Sequence, residues 1–189
     1  MAQKRIGLWL IGAKGGVATT VMTGLAALAR RLVEPIGLIT ETAAFHSLNL
    51  IDWSDMVIGG HDIRDGSLLD EARRMWTVSR AIPPGVLESV TPDLIDIETR
   101  LRPGTVVASG SSIQAIASLP ESKAAQTPRS IIDQIRTDIL DFAETNDVER
   151  VVVVNLASTE PPWSLPIPDN LDEISSLLEN ASESSPLPT

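Results

Sequence analysis

The chain has 189 residues, long enough for one domain with a full core. Hydrophobic residues make up 43%, which argues for a folded protein, and the absence of cysteine excludes a disulfide framework and a thiolate metal site. A net charge of −10 and an aromatic content of 3%, with no tyrosine, supply neither the basic face nor the stacking platforms that nucleic-acid binding needs.

The start, Met1-Ala-Gln-Lys-Arg5, is basic, but the apolar run behind it is too short and too broken by glycine for a signal peptide. No stretch reaches the ~18 apolar residues of a membrane span, so a cytoplasmic enzyme or binding protein is expected. Ile6 to Ile11 reads as a first buried strand and breaks into a glycine loop, Gly12 to Gly16. A helix follows from Val17, with Val21, Leu25, Leu28 and Leu32 at helical spacing. Arg30 and Arg31 suit its carboxyl end, and Pro35 stops it. Ile36-Gly-Leu-Ile-Thr40 reads as strand two with Glu41 at its end, completing a βαβ unit.

After an excursion over residues 42–55, Met56-Val-Ile58 reads as a strand ending at the pair Gly59-Gly60, ahead of His61-Asp62-Ile63. Ser67 is placed to cap a helix carrying Leu68, Ala72, Met75 and Trp76 on one face, with Asp70 and Glu71 near its start. Thr91-Pro92 reads as a cap and first-turn proline opening a short helix to about Arg100. Thr105-Val-Val-Ala108 reads as a buried strand running into Ser109-Gly110-Ser111-Ser112. Thr127-Pro128 repeats the cap signal before a helix with Ile131, Ile135, Ile139 and Phe142 on one stripe. Val151-Val-Val-Val154 lacks alternation and reads as a strand buried on both faces. It ends in Asn155-Leu-Ala-Ser-Thr-Glu160, and beyond Trp163 the chain turns rich in proline and serine with one weak helix pattern, Leu171, Ile174, Leu177 and Leu178.

This alternation predicts an α/β, Rossmann-type domain over residues 1–163, a mostly parallel sheet with helices on both faces, and a tail over 164–189. In such a sheet the loops after the strands gather at the carboxyl edge, where ligands bind.

The glycine loop admits three readings. Gly12, Gly15 and Gly16 suit a dinucleotide turn, in which main-chain N–H groups at the helix start hold a pyrophosphate, helped by the hydroxyl of Thr19 or Thr20. Lys14-Gly-Gly-Val-Ala-Thr-Thr20 also looks like the P-loop of ParA/MinD-type ATPases, except that Ala18-Thr19 replaces the glycine and lysine which grip the β- and γ-phosphates. Last, the glycines could simply make a tight turn. Glu41, beyond strand two, favours a ligand with ribose hydroxyls to accept.

Four segments together, Ile11-Gly-Ala-Lys-Gly-Gly-Val-Ala-Thr-Thr20, Gly37-Leu-Ile-Thr-Glu41, Gly59-Gly-His-Asp-Ile63 and Asn155-Leu-Ala-Ser-Thr-Glu-Pro161, resemble the inositol-phosphate synthase family, most of all its short archaeal and bacterial branch. The resemblance implies an NAD cofactor and a reaction turning glucose 6-phosphate into 1L-myo-inositol 1-phosphate by oxidation at C5, enolisation, aldol closure and re-reduction. It implies that Gly12, Ala13, Lys14, Gly15, Gly16, Val17 and Thr19 cradle the pyrophosphate. Glu41 and Asp62 become the two candidates for a ribose hydroxyl, and either carboxylate would repel the 2′-phosphate of NADP. Ser109, Gly110 and Ser111 would line the adenosine side, and Ala157, Ser158 and Thr159 the nicotinamide half, with Asn155 behind.

Chains of that family are longer and form homo-tetramers, and their catalytic half carries lysines that bind phosphate and stabilise an enolate. Only Lys4, Lys14 and Lys123 occur here, none in a matching context. The sequence therefore reads as an amino-terminal NAD-binding part, inactive alone, that meets glucose 6-phosphate only when the catalytic half is supplied. No catalytic residue, no metal ligand, no nucleic acid and no membrane is expected. A P-loop switch protein and a non-catalytic NAD-binding module are the alternatives.

Overall fold

The computed structural model describes residues 5–107, 109–124, 126–157 and 168–180. Among these, four parallel strands form one sheet in the order β3-β2-β1-β4: β1 Ile6–Ile11, β2 Met56–Asp62, β3 Leu101–Pro103 and β4 Arg150–Asn155. The helices are α1 Gly16–Ala29, α2 Leu68–Ser79, α3 Pro84–Glu98, α4 Ser111–Ile116, α5 Pro128–Thr145 and α6 Leu171–Asn180. The expected α/β class with a parallel sheet and helices on both faces is what the chain adopts.

Successive residues of β1 point to opposite faces, and the two cores follow from that. On one face Leu10 and Ile58 pack with α1, α2 and α3 through Ala18, Met22, Leu68, Ala72, Val90 and Leu94. On the other, Trp9 and Val57 pack with Phe142 of α5. The register pairs Trp9 with Gly59 and Leu10 with Gly60. A Cβ on Gly59 would meet the Trp9 ring at 2.8 Å, and one on Gly60 would overlap the carbonyl oxygen of Leu10. The glycine pair thus lies within β2 rather than at its end, and gives the indole room on one face and a close β1–β2 approach on the other.

Five further expectations are corrected. Residues 36–40 form no strand: Gly37 sits at φ 84°, and Ile39–Glu41 is a single 3-10 turn in an exposed segment. The place beside β1 belongs to β2, whose seven residues all take part in the sheet. The βαβ unit therefore closes at Met56, not at Ile36. Thr91-Pro92 opens no helix either. α3 runs through Pro92 on one buried stripe of Leu87, Val90, Leu94 and Ile97, and the Thr91 hydroxyl donates back to the carbonyl of Leu87 at 2.9 Å. The missing N–H of Pro92 falls on the exposed face of α3, so the apolar stripe outweighs it.

The strand read at Thr105–Ala108 is β3 instead, three residues placed earlier and paired only with Gly60–Asp62; Thr105, Val106 and Val107 lie outside it, and Ala108 falls outside the described residues. Upstream of that short pairing, Nε of Arg100 donates to the carbonyl of Ile58 at 2.8 Å and occupies the β2 edge that β3 leaves open. The buried face of α1 is Ala18, Thr19, Met22, Thr23, Ala26 and Ala27, not the stripe through Val21 and Leu32, which are exposed. Lastly, β4 is not buried on both faces. It is the outer strand, and Val152 and Val153 are 45% and 49% exposed. Its valines match a doubly covered strand, but no described element lies beyond it.

The cap signals at Ser67 and Thr127 hold: their hydroxyls accept from the N–H of Asp70 and of Ser130. The weak pattern after the proline-rich stretch is α6, which packs on α5. No described helix is long and apolar enough to cross a membrane.

Candidate functional site

The carboxyl edge of the sheet is organised by the turn from β1 into α1. Gly12 lies at φ 84°, a conformation that costs a Cβ-bearing residue strain, and it reverses the chain. The N–H groups of Gly12 and Ala13 both donate to the carbonyl of His61 at 2.9 Å. The next N–H, that of Lys14, donates to Oδ2 of Asp62 at 2.6 Å. Gly15 then donates to Gly12 at 2.9 Å and becomes the N-cap of α1. A Cβ on Gly15 would stand 3.0 Å from the Gly12 oxygen, closer than an ordinary contact, so the turn is tight there too.

What remains is the amino end of α1. Its cap, Gly15, contributes no side chain, and its first turn holds no acidic residue. Among the described residues no acceptor meets the N–H groups of Gly16, Val17 and Ala18. Three donors unmet among the described residues, at the positive end of a helix dipole, have the chemistry to receive an anion. The loop presents main chain there, and Val17 stands exposed beside it.

The threonine hydroxyls expected to help are otherwise placed. Thr19 is fully buried on the core side of α1, and the Thr20 hydroxyl donates to the carbonyl of Gly16 at 2.8 Å. Lys14 is also turned away from the helix end. Its Nζ reaches the carbonyl of Gly66 at 2.5 Å and Oε1 of Glu98 at 3.5 Å, and its side chain is only 12% exposed. A lysine held by loop carbonyls and a carboxylate is not free to grip phosphates, which removes the support for an ATPase loop.

Two distant segments are brought to this turn. Leu156 donates its N–H to the carbonyl of Ile11 at 2.9 Å, joining the end of β4 to the end of β1. That places Ala157 over Gly12: a Cβ on Gly12 would meet the nitrogen of Ala157 at 3.4 Å. Asn155 supports the same turn, since its Oδ1 accepts from the N–H of Ala157 at 2.9 Å. Ser158 and Thr159 lie outside the described residues.

On the other side, the N–H of Gly104 donates to the carbonyl of Asp62 at 2.7 Å, and Ser118 and Leu119 both donate to that of Ile63. The segment carrying Ser109, Gly110 and Ser111 is thereby tethered beside the end of β2. Ser109 donates its hydroxyl to Val106 at 2.7 Å, and Gly110 is the N-cap of the short α4. Glu41 is exposed in a 3-10 turn of the excursion rather than at the end of a sheet strand, so the reason for assigning it a ribose is gone. The carboxylate that stands at the end of β2 is that of Asp62.

Sequence reasoning missed Arg64 and Glu98. Arg64 pairs with Asp62 and approaches Glu71, while Oε1 of Glu98 receives the first N–H of α2, from Leu68, at 3.1 Å. Neither sits in a recognisable motif; the fold alone places them. A cavity of about 230 Å³ lined by Arg5, Asp93, Asp96 and Arg100 lies at the opposite, amino-terminal end of the strands and is no part of this site.

Comparison with known proteins places this geometry. Residues 6–187 match a family model described as myo-inositol-1-phosphate synthase, of the NAD-binding type. An inositol-3-phosphate synthase of Bacteroides thetaiotaomicron is 31% identical over 170 residues, which is 84% of this chain and 38% of the relative. The structure of an inositol-3-phosphate synthase from Caenorhabditis elegans overlays with a TM-score of 0.73 at 20% identity, over 97% of this chain and 41% of that one. A myo-inositol-1-phosphate synthase-related protein from Thermotoga maritima gives a TM-score of 0.57 at 19% identity, over 93% and 40%. The two structural likenesses carry the fold, and the chain spans about two-fifths of the length of each of these relatives.

Proposed function

The chain belongs to the myo-inositol-1-phosphate synthase family, as the match over residues 6–187 shows, and we propose that its glycine turn and the amino end of α1 hold the pyrophosphate of NAD. The matched region is the family's NAD-binding domain. One observation supports this placement most: three main-chain donors, on Gly16, Val17 and Ala18, lie at the carboxyl edge of the sheet with no acceptor among the described residues, beside a tight turn with Gly12 at φ 84°.

Around that anchor the domain has two sides. Ala157, held over Gly12 by Asn155, marks one of them, where the nicotinamide half would lie. The tethered segment with Ser109, Gly110 and Ser111 marks the other, beside the end of β2, where the adenosine half would lie. NAD, when bound, supplies hydride acceptance and return. The chain's own residues bind it, orient it and fix the spacing between the two sides.

The substrate step belongs to the proposal as well. In a protein of the relatives' full length, this domain would present NAD to glucose 6-phosphate for conversion to inositol phosphate. Of the three lysines, Lys14 is held by loop carbonyls and Glu98, so it is not placed to stabilise an enolate. We infer that the 189-residue chain alone forms no inositol phosphate.

Thermal unfolding with added nucleotide tests the reading. NAD at 100 times its Kd should stabilise the fold by about 2.7 kcal/mol, and ATP with magnesium should not. Stabilisation by ATP with magnesium and not by NAD would overturn it, and inositol phosphate made from glucose 6-phosphate by the purified chain would overturn the second inference.

A further inference from the structure

We propose that the side chain of Lys14 is a positioning group: its ammonium is a built-in cation that pins the loop of residues 64–66 to the glycine turn, and so sets the distance between the pyrophosphate side and the adenosine side of the site. The inference rests on the reading that the turn and the amino end of α1 hold a dinucleotide.

The loop turns its carbonyl oxygens on one point. Nζ of Lys14 donates to the carbonyl of Gly66 at 2.5 Å and approaches those of Arg64 and Asp65 at 3.4 Å each. Oε1 of Glu98, at the end of α3, lies 3.5 Å from the same nitrogen. Three dipoles and a carboxylate around one centre make a cage for a cation, and an ammonium brings it three donors and no acceptor. Without that charge, three successive carbonyl oxygens and Glu98 would face one another with like sign. The side chain of Lys14 is only 12% exposed, so its charge is spent on this loop.

The loop is held from its other side as well. Ser118 and Leu119 donate their N–H groups to the carbonyl of Ile63 at 3.0 and 3.1 Å, and the N–H of Asp65 donates to Oγ of Ser118 at 2.7 Å. Ser118 follows α4, in the segment that carries Ser109, Gly110 and Ser111. Residues 63–66 thus lie between two clamps, Lys14 from the glycine turn and Ser118 from the adenosine-side segment. Glu98 anchors the first clamp, because the same Oε1 accepts the N–H of Leu68 at the start of α2. A dinucleotide spans both sides, so its affinity depends on the distance between them. Inorganic pyrophosphate occupies one side only, and its affinity does not.

Lys14→Ala removes the ammonium and the three methylenes next to it, and propylammonium carries the same atoms. Three readouts on the whole chain, at about 0.15 M salt, decide the matter: the Kd for NAD, the Kd for inorganic pyrophosphate, and hydrogen exchange at the Asp65 amide. The expected result is that Lys14→Ala weakens NAD roughly tenfold, changes pyrophosphate by less than about twofold, and speeds exchange at Asp65. Propylammonium should recover NAD affinity, and tetramethylammonium at the same concentration should not. Equal weakening of NAD and pyrophosphate would overturn the proposal, because the ammonium would then serve the phosphates. Recovery by both salts or by neither would overturn it, and so would unchanged exchange at Asp65. Should the unaltered chain bind neither NAD nor pyrophosphate, the NAD reading fails, while exchange at Asp65 still decides whether Lys14 fixes the loop. Should Lys14→Ala not fold, the unaltered chain decides: Lys14 is expected to acetylate far more slowly than the exposed Lys123, and equal rates would overturn the proposal.

Discussion

The indole N–H of Trp9 donates to Nδ1 of His61 at 3.0 Å, in the middle of the core between the sheet and α5. An indole only donates, so Nδ1 must accept, and the ring proton sits on Nε2. Nε2 lies 2.9 Å from Oδ2 of Asp138 on α5 and donates to it. His61 is therefore a structural residue that ties β1, β2 and α5 together, and its own carbonyl holds the glycine turn.

Replacing His61 by leucine leaves the Trp9 N–H without an acceptor and one Asp138 oxygen without its donor. The expected loss is about 2–4 kcal/mol of stability, read from urea unfolding. His61→Gln, which can accept and donate, should lose less. Equal stability of His61→Leu and the parent would contradict this role.

The glycines of β2 make a ranked prediction. Gly59→Ala pushes a methyl into the Trp9 ring and against Phe142, and should cost about 1–3 kcal/mol by overpacking. Gly60→Ala should cost more, because the obstacle is the Leu10 main chain, which cannot rotate away. Gly24→Ala, inside α1 with nothing near its Cβ, should instead stabilise by about 0.5–1 kcal/mol. Thermal midpoints of the three variants check the order.

Helix caps separate two kinds of threonine and serine. Ser67→Ala and Thr127→Ala each remove an acceptor from a helix start, and each should cost about 1 kcal/mol. Thr91→Ala removes no cap, because Thr91 lies inside α3, and should cost clearly less. Chemical denaturation of the three single variants measures the difference.

These contrasts also show what the sequence could reveal. The turn of Gly12–Gly16, the caps at Ser67 and Thr127 and the stripe from Ile131 to Phe142 are local patterns, and each was legible. Residues 36–40 and 105–107 look like strands by composition, but pairing decides a strand, and the places beside β1 and β2 went to other segments. Thr91-Pro92 carries a strong local signal for a helix start, and a buried stripe running past it overrides that signal. The valines of β4 were legible as an apolar strand; its edge position was not, because composition does not say what lies beyond a strand. The site divides in the same way. The loop and Ala157 were readable from motifs, whereas Arg64, Glu98 and the inward use of Lys14 depend on tertiary distances.

The central claim is that the amino end of α1 and the turn before it bind the pyrophosphate of NAD. Amide NMR during an NAD titration tests it most directly. The largest shifts should fall on Gly16, Val17 and Ala18, with Ala157 moving on one side and Ser109 to Ser111 on the other. Saturating NAD that leaves the amides of Gly16, Val17 and Ala18 unmoved would contradict the account.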